Sequence, residues 1–133
     1  MYKSLNILKQ ISANSEHKGK IKVKNDGRFL ARYEVNYLIG EVQLTQISGR
    51  IYEGQQQTIF IPGLAKNVQI KVEELITGFP EIWKTIFNLE YPYAGNRGFR
   101  LWGNSLNAKY GTITTLGTEK SVNQSYEKTK MRK

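Results

Sequence analysis

A chain of 133 residues can bury roughly two thirds of its unfolded surface, so a single self-sufficient domain is expected. The absence of Cys excludes disulfides and thiolate zinc sites. The net charge of +9 is uneven: residues 1–25 carry six Lys against Glu16, residues 119–133 carry five basic groups against two Glu, and residues 26–118 hold nine basic and eight acidic groups.

A near-neutral body weighs against a nucleic-acid groove on the domain. Basic ends suit either solvated tails or long-range attraction to an anionic surface. The opening residues have no apolar core of signal-peptide length, and no stretch approaches the ~20 apolar residues of a membrane-spanning helix. The sequence therefore reads as a soluble chain whose compartment is open.

In chain order, residues 3–12 with Ser4 as a cap are the one predicted helix. Lys20-Ile21-Lys22-Val23-Lys24 alternates as a strand, and Asn25-Asp26-Gly27 is a turn or bulge signal. Phe29, Ala31, Tyr33, Val35 and Tyr37 share one strand face, with Arg32, Glu34 and Asn36 on the other. Further strands are predicted at 42–46, 58–61, 68–72, 83–87, 98–102 and 110–116, with turns at Ser48-Gly49 and Pro62-Gly63. The set predicts an all-β fold of seven or so strands with turn signals between them, a sandwich or a barrel. The domain reading is a basic N-terminal segment (1–25), a sandwich (26–116) and a basic, apolar-poor tail (117–133) expected to fray.

Catalytic chemistry is not signalled. His17 sits alone in a Lys-rich segment, and Glu73 and Glu74 are adjacent, so on a strand they face opposite ways and form no acid/base pair. There is no nucleophile elbow, Walker loop or dinucleotide fingerprint. The expectation is a non-enzyme without metal or cofactor. What remains is an apolar loop: Thr77-Gly78-Phe79-Pro80-Glu81-Ile82-Trp83-Lys84, followed by Leu101-Trp102-Gly103-Asn104-Ser105-Leu106. Oily groups at a loop tip suggest a second apolar surface. Trp102, in an alternating strand, reads as core; Trp83 could face either way. Tyr91 and Tyr93 are secondary candidates, since their rings suit a sugar or an interfacial site.

The order of four blocks resembles the C-terminal membrane-binding domain, domain 4, of the cholesterol-dependent (thiol-activated) cytolysins, over residues 26–115. The blocks are Gly27 to Tyr33, Ile61 to Val72, Glu74 to Lys84 in place of the Trp-rich undecapeptide, and Leu101-Trp102-Gly103-Asn104-Ser105-Leu106. The resemblance implies an elongated antiparallel β-sandwich, immunoglobulin-like with about seven to eight strands, that meets a bilayer with binding loops at one tip, with Ser105-Leu106 in the place of the family's sterol-recognising Thr-Leu pair. Ile76 stands where the undecapeptide has Cys, its earlier Trp residues are missing, one position is lost before Trp83, and Lys84 replaces Arg. Weaker bilayer affinity is implied. The residues of the family's pore-forming domains are not present, so an accessory of a toxin system, secreted or released, is implied.

The expected ligand site is thus Thr77, Gly78, Phe79, Ile82, Trp83, Lys84, Ser105 and Leu106, facing a membrane surface (sterol or anionic lipid) or a glycan through loops 76–83, 91–97 and 103–108. The alternative is a structural or protein-interaction sandwich that self-associates or docks to a partner protein.

Overall fold

The computed structural model describes residues 19–113. The helix predicted over 3–12, His17 and the 117–133 tail lie outside the described residues. Eight strands follow one another: β1 (Gly19–Asn25), β2 (Ala31–Ile39), β3 (Val42–Ile47), β4 (Gln56–Ile61), β5 (Lys66–Gly78), β6 (Glu81–Tyr93), β7 (Asn96–Asn104) and β8 (Asn107–Ile113). They form two four-stranded sheets, ordered β4-β1-β7-β8 and β3-β2-β5-β6. Every ladder is antiparallel except that of β1 with β7, which is parallel.

Period-two alternation builds the core between the sheets. Along β2, residues 31, 33, 35, 37 and 39 are all buried while their neighbours are half-exposed. Ile21 and Val23 of β1, Val68, Ile70 and Val72 of β5, and Phe99 and Leu101 of β7 meet them. The Tyr33 hydroxyl lies 2.7 Å from the Ile21 carbonyl and 3.0 Å from the Gln57 carbonyl, which ties the sheets through the core. Burial pushes its phenol pKa up, against the opposing pull of a backbone hydrogen bond. The open sides of the sandwich are closed by side chains: Gln46 Nε2 donates to the Phe60 carbonyl at 2.8 Å on one side, and Phe87 stacks on Tyr110 at 4.2 Å on the other.

Two boundaries differ from the sequence reading. Among the described residues the first strand is Gly19–Asn25, so the last seven residues of the segment 1–25 form β1, a central strand flanked by β4 and β7. Asn25-Asp26-Gly27, the turn or bulge signal, opens the crossover from β1 to β2 in the other sheet. Asn25 is fully buried there: its amide donates to the Phe29 and Ile51 carbonyls at 2.7 and 2.9 Å and accepts from Gly27 N–H at 2.9 Å. Likewise β5 and β6 each run thirteen residues, well past the predicted 68–72 and 83–87. Thr77, Ile82 and Trp83 favour extended backbone and keep the ladder going. Only Phe79 and Pro80 are left between the strands.

Candidate functional site

One end of the sandwich gathers the β5–β6 turn, the β7–β8 turn and the crossovers at 26–30 and 48–55. Arg28 bridges to Asn104, Ala31 pairs with Ile51, and Gly54 N–H donates to the Asn25 carbonyl at 2.6 Å. Two register shifts, at Val72/Glu73 and Leu75/Thr77, bulge the β5–β6 ladder as it approaches this end. Glu73 points outward to Arg32, at 2.8 Å, whereas Glu74 turns inward and is only 2 % exposed. Its Oε1 accepts from the Leu106 N–H at 3.2 Å. That bond ties the β7–β8 turn to β5. From Glu74, β5 continues to Gly78, so the Phe79-Pro80 turn stands roughly 13 Å further along the strand than the Leu106 amide.

Apolar side chains crowd this end without cover. Phe79 is 97 % exposed, Leu106 63 % and Ile82 51 %. Leu106 holds its backbone at φ 68°, a left-handed conformation that Gly or Asn adopts at less cost. Gly103 at φ 96° makes the turn feasible, because a Cβ there would lie 2.6 Å from the Asn107 carbonyl oxygen.

Trp83 is on the outer face of β6, clamped and half-exposed. The Arg32 guanidinium sits 3.9 Å above its ring, Arg50 lies 5.7 Å away, and its Nε1 donates to Glu81 at 3.2 Å. Arg50 and Glu81 form an ion pair. Hydrogen bonding to Arg50, and then to Trp83, pulls the Glu81 carboxyl below its ordinary pKa. Lys84 is exposed and pairs in register with Glu74. Thr77 is half-exposed, and Gly78 and Ser105 are exposed.

The sequence-derived site is therefore brought together at Thr77, Gly78, Phe79, Ile82, Trp83, Lys84, Ser105 and Leu106, but not at Tyr91 and Tyr93. Tyr93 pairs with Lys66, at the end of β5 away from Gly78, and Ala94 N–H donates to the Ala65 carbonyl. Loop 91–97 thus occupies the opposite end of the sandwich. Tyr91 pairs with the inward Val68 and packs against the core with Arg97 3.6 Å over its ring, and it borders a groove that Asn36, Gln43, Asn67, Gln69 and Glu90 line on the outer face of the second sheet. Trp102 also departs from expectation: it lies on the outer face of β7, over Gly111, because the inward positions belong to Phe99 and Leu101. Its own strand's alternation contained that signal. Glu74 carried the same signal, since alternation through Val68, Ile70 and Val72 points position 74 inward, and only its residue type argued otherwise. Among the described residues no group of three or more His, Asp or Glu is placed to hold a metal ion.

Comparison with known proteins bears on this end directly. The family model described as "Thiol-activated cytolysin beta sandwich domain" matches residues 20–109. Tetanolysin of Clostridium tetani is 25 % identical over 121 residues, covering 80 % of this chain and 23 % of its own length. Seeligeriolysin of Listeria seeligeri is 27 % identical over 109 residues, covering 73 % and 21 %. The chain thus spans less than a quarter of either relative. The solved membrane-binding domain of pneumolysin superposes with a TM-score of 0.58 at 18 % identity, over 72 % of this chain and 96 % of that one. Suilysin from Streptococcus suis superposes with a TM-score of 0.54 at 18 % identity, covering 72 % of this chain and 23 % of that one.

Proposed function

Because this chain belongs to the thiol-activated cytolysin β-sandwich family, a domain type that is not enzymatic, we propose that it is a membrane-recognition module that inserts its two tip hairpins among lipids. The observation that carries this reading is that Phe79 and Leu106, both largely exposed, stand on turns at one end of the sandwich, the Leu106 turn being tied to β5 by the buried Glu74 carboxylate. Full burial of a Phe, Leu or Ile side chain contributes about 1.5–3 kcal/mol. Phe79, Ile82 and Leu106 together could offset much of the loss of freedom on docking. Ser105 beside Leu106 offers a hydroxyl that can bond a sterol 3-OH while the Leu contacts the rings. Trp83, held by Arg32, supplies an amphipathic ring near the headgroup level.

Sedimentation with phosphatidylcholine vesicles, with and without cholesterol, tests the reading. Binding should fall at least tenfold in the Phe79→Ala, Leu106→Ala double variant. Equal binding by that variant and the wild type, or no wild-type binding to either vesicle, would sink it.

A second reading, glycan recognition, is favoured by the amide-lined groove around Tyr91. Its side-chain amides and Glu90 provide paired donors and acceptors beside an aromatic edge. It predicts retention on immobilised glycans that survives Phe79→Ala and is lost in Gln69→Ala.

A further inference from the structure

We propose that the outer face of the β4-β1-β7-β8 sheet is a second contact surface, selective for the phosphate-bearing headgroups of anionic lipids. The inference rests on the membrane reading above and assigns it a surface that the tip does not provide.

Alternation puts Lys20, Lys22 and Lys24 of β1 outward, between the buried Ile21 and Val23. Register then sets Arg100 of β7 beside Lys24, and Lys109 of β8 beside Trp102. Arg28, bridged to Asn104, extends the row to the tip. Among the described residues this face carries those six cations against one carboxylate, Asp26, which bonds Arg100 Nε at 2.7 Å and lies 3.9 Å from Lys24. The opposite sheet is balanced: Arg32 and Lys71 share the Glu73 carboxylate at 2.8 and 3.8 Å, with Glu34 and Glu90 on the same face. The charge is therefore segregated by sheet.

Two features favour a membrane over a nucleic acid. The row ends at the 104–107 hairpin that carries the exposed Leu106, so one surface can engage headgroups while the hairpin enters the apolar layer. The amide-lined groove lies on the opposite sheet, away from these cations. Trp102, lying over Gly111 with Arg100 5.1 Å away, adds a ring suited to the interface.

The test uses the full chain and vesicles of phosphatidylcholine and cholesterol, with and without one third phosphatidylserine. Each Lys near such a surface contributes about fivefold in binding. Phosphatidylserine should raise wild-type binding at least tenfold at low salt. The variant Lys20→Gln, Lys24→Gln, Lys109→Gln should lose most of that gain and its salt dependence, yet bind phosphatidylcholine-cholesterol vesicles like the wild type. Its charge-matched control, Lys120→Gln, Lys128→Gln, Lys130→Gln, should keep the gain. No gain from phosphatidylserine, or equal loss in both variants, overturns the proposal. So does tighter, face-dependent binding of a mixed-sequence DNA duplex. Binding that needs phosphatidylserine and ignores Phe79→Ala, Leu106→Ala supports the face and sinks the tip reading alone.

Discussion

The carboxylate of Glu74, on β5, accepts the backbone N–H of Leu106, in the β7–β8 turn, at 3.2 Å. One hydrogen bond thereby ties the hairpin that carries Leu106 to the strand that leads to Phe79, across the two sheets. A carboxylate at 2 % exposure is costly to bury, and a single neutral amide offsets little of that cost. Glu74→Leu should therefore leave the thermal midpoint unchanged or raise it. The same variant should speed hydrogen exchange at the Leu106 amide and weaken vesicle binding. Lower stability with unchanged Leu106 exchange would show that the bond is incidental.

Leu106 presents the same opposition between stability and use. Its φ of 68° costs a β-unbranched L-residue about 1 kcal/mol. Leu106→Asn should move the urea midpoint up by a corresponding amount while reducing vesicle binding. Gly103→Ala tests the other half of the turn: at φ 96°, with the new Cβ 2.6 Å from a backbone oxygen, it should cost 2 kcal/mol or more, on the order of the strain of forbidden backbone plus a clash. Tolerance of Gly103→Ala would mean that the turn opens readily.

The core was legible wherever period two ran unbroken, as from Ala31 to Ile39, because the pattern of a half-buried strand is the pattern of its burial. It failed where another constraint intervened. Lys20, Lys22 and Lys24 look like part of a charged tail when charge is summed by segment, yet Ile21 and Val23 between them are wholly buried. That summation also hid the basic sheet face, which forms only when β1, β7 and β8 are placed side by side. Trp102 was assigned by its type, whereas its neighbours Phe99 and Leu101 decide its face. Glu74 was hidden by its type in the same way, since Val68, Ile70 and Val72 point position 74 inward, whereas the end at which Tyr91 lies depends on the lengths of β5 and β6, which single-strand patterns do not encode. The joint location of Phe79 and Leu106 followed from the family resemblance, not from alternation.

Asn25 holds the crossover from β1 to β2, and through it the tip. Its side chain satisfies two carbonyls and one N–H, all within 2.9 Å and all buried. Asn25→Leu keeps the volume but strands the Phe29 carbonyl and the Gly27 N–H, while the Ile51 carbonyl keeps the Ala31 N–H. The expected loss is about 2–4 kcal/mol, the combined penalty of leaving two such groups without partners. Asn25→Asp should be at least as damaging, since it removes the same two donations and buries a charge. Chemical denaturation with circular dichroism measures both. A loss under about 0.5 kcal/mol in either variant would mean that the crossover is held by its backbone bonds alone.

The Arg50, Glu81 and Trp83 cluster gives the tip an acid dependence with a definite sign. Glu81 has its pKa lowered in the folded chain, chiefly by hydrogen bonding to Arg50 and then to Trp83. A carboxylate with a depressed folded pKa adds stability that is fully present above its unfolded value, about 4.3, and is lost as pH falls through the folded value. Trp83 emission, followed in a Trp102→Phe background, should hold steady from neutral pH to about 5 and then shift with a midpoint below 4.3. Glu81→Gln should abolish that step while leaving the domain folded. Because the pair is exposed, added salt should weaken the effect. A midpoint above the unfolded carboxylate value, or a step that survives Glu81→Gln, would assign the transition to another group.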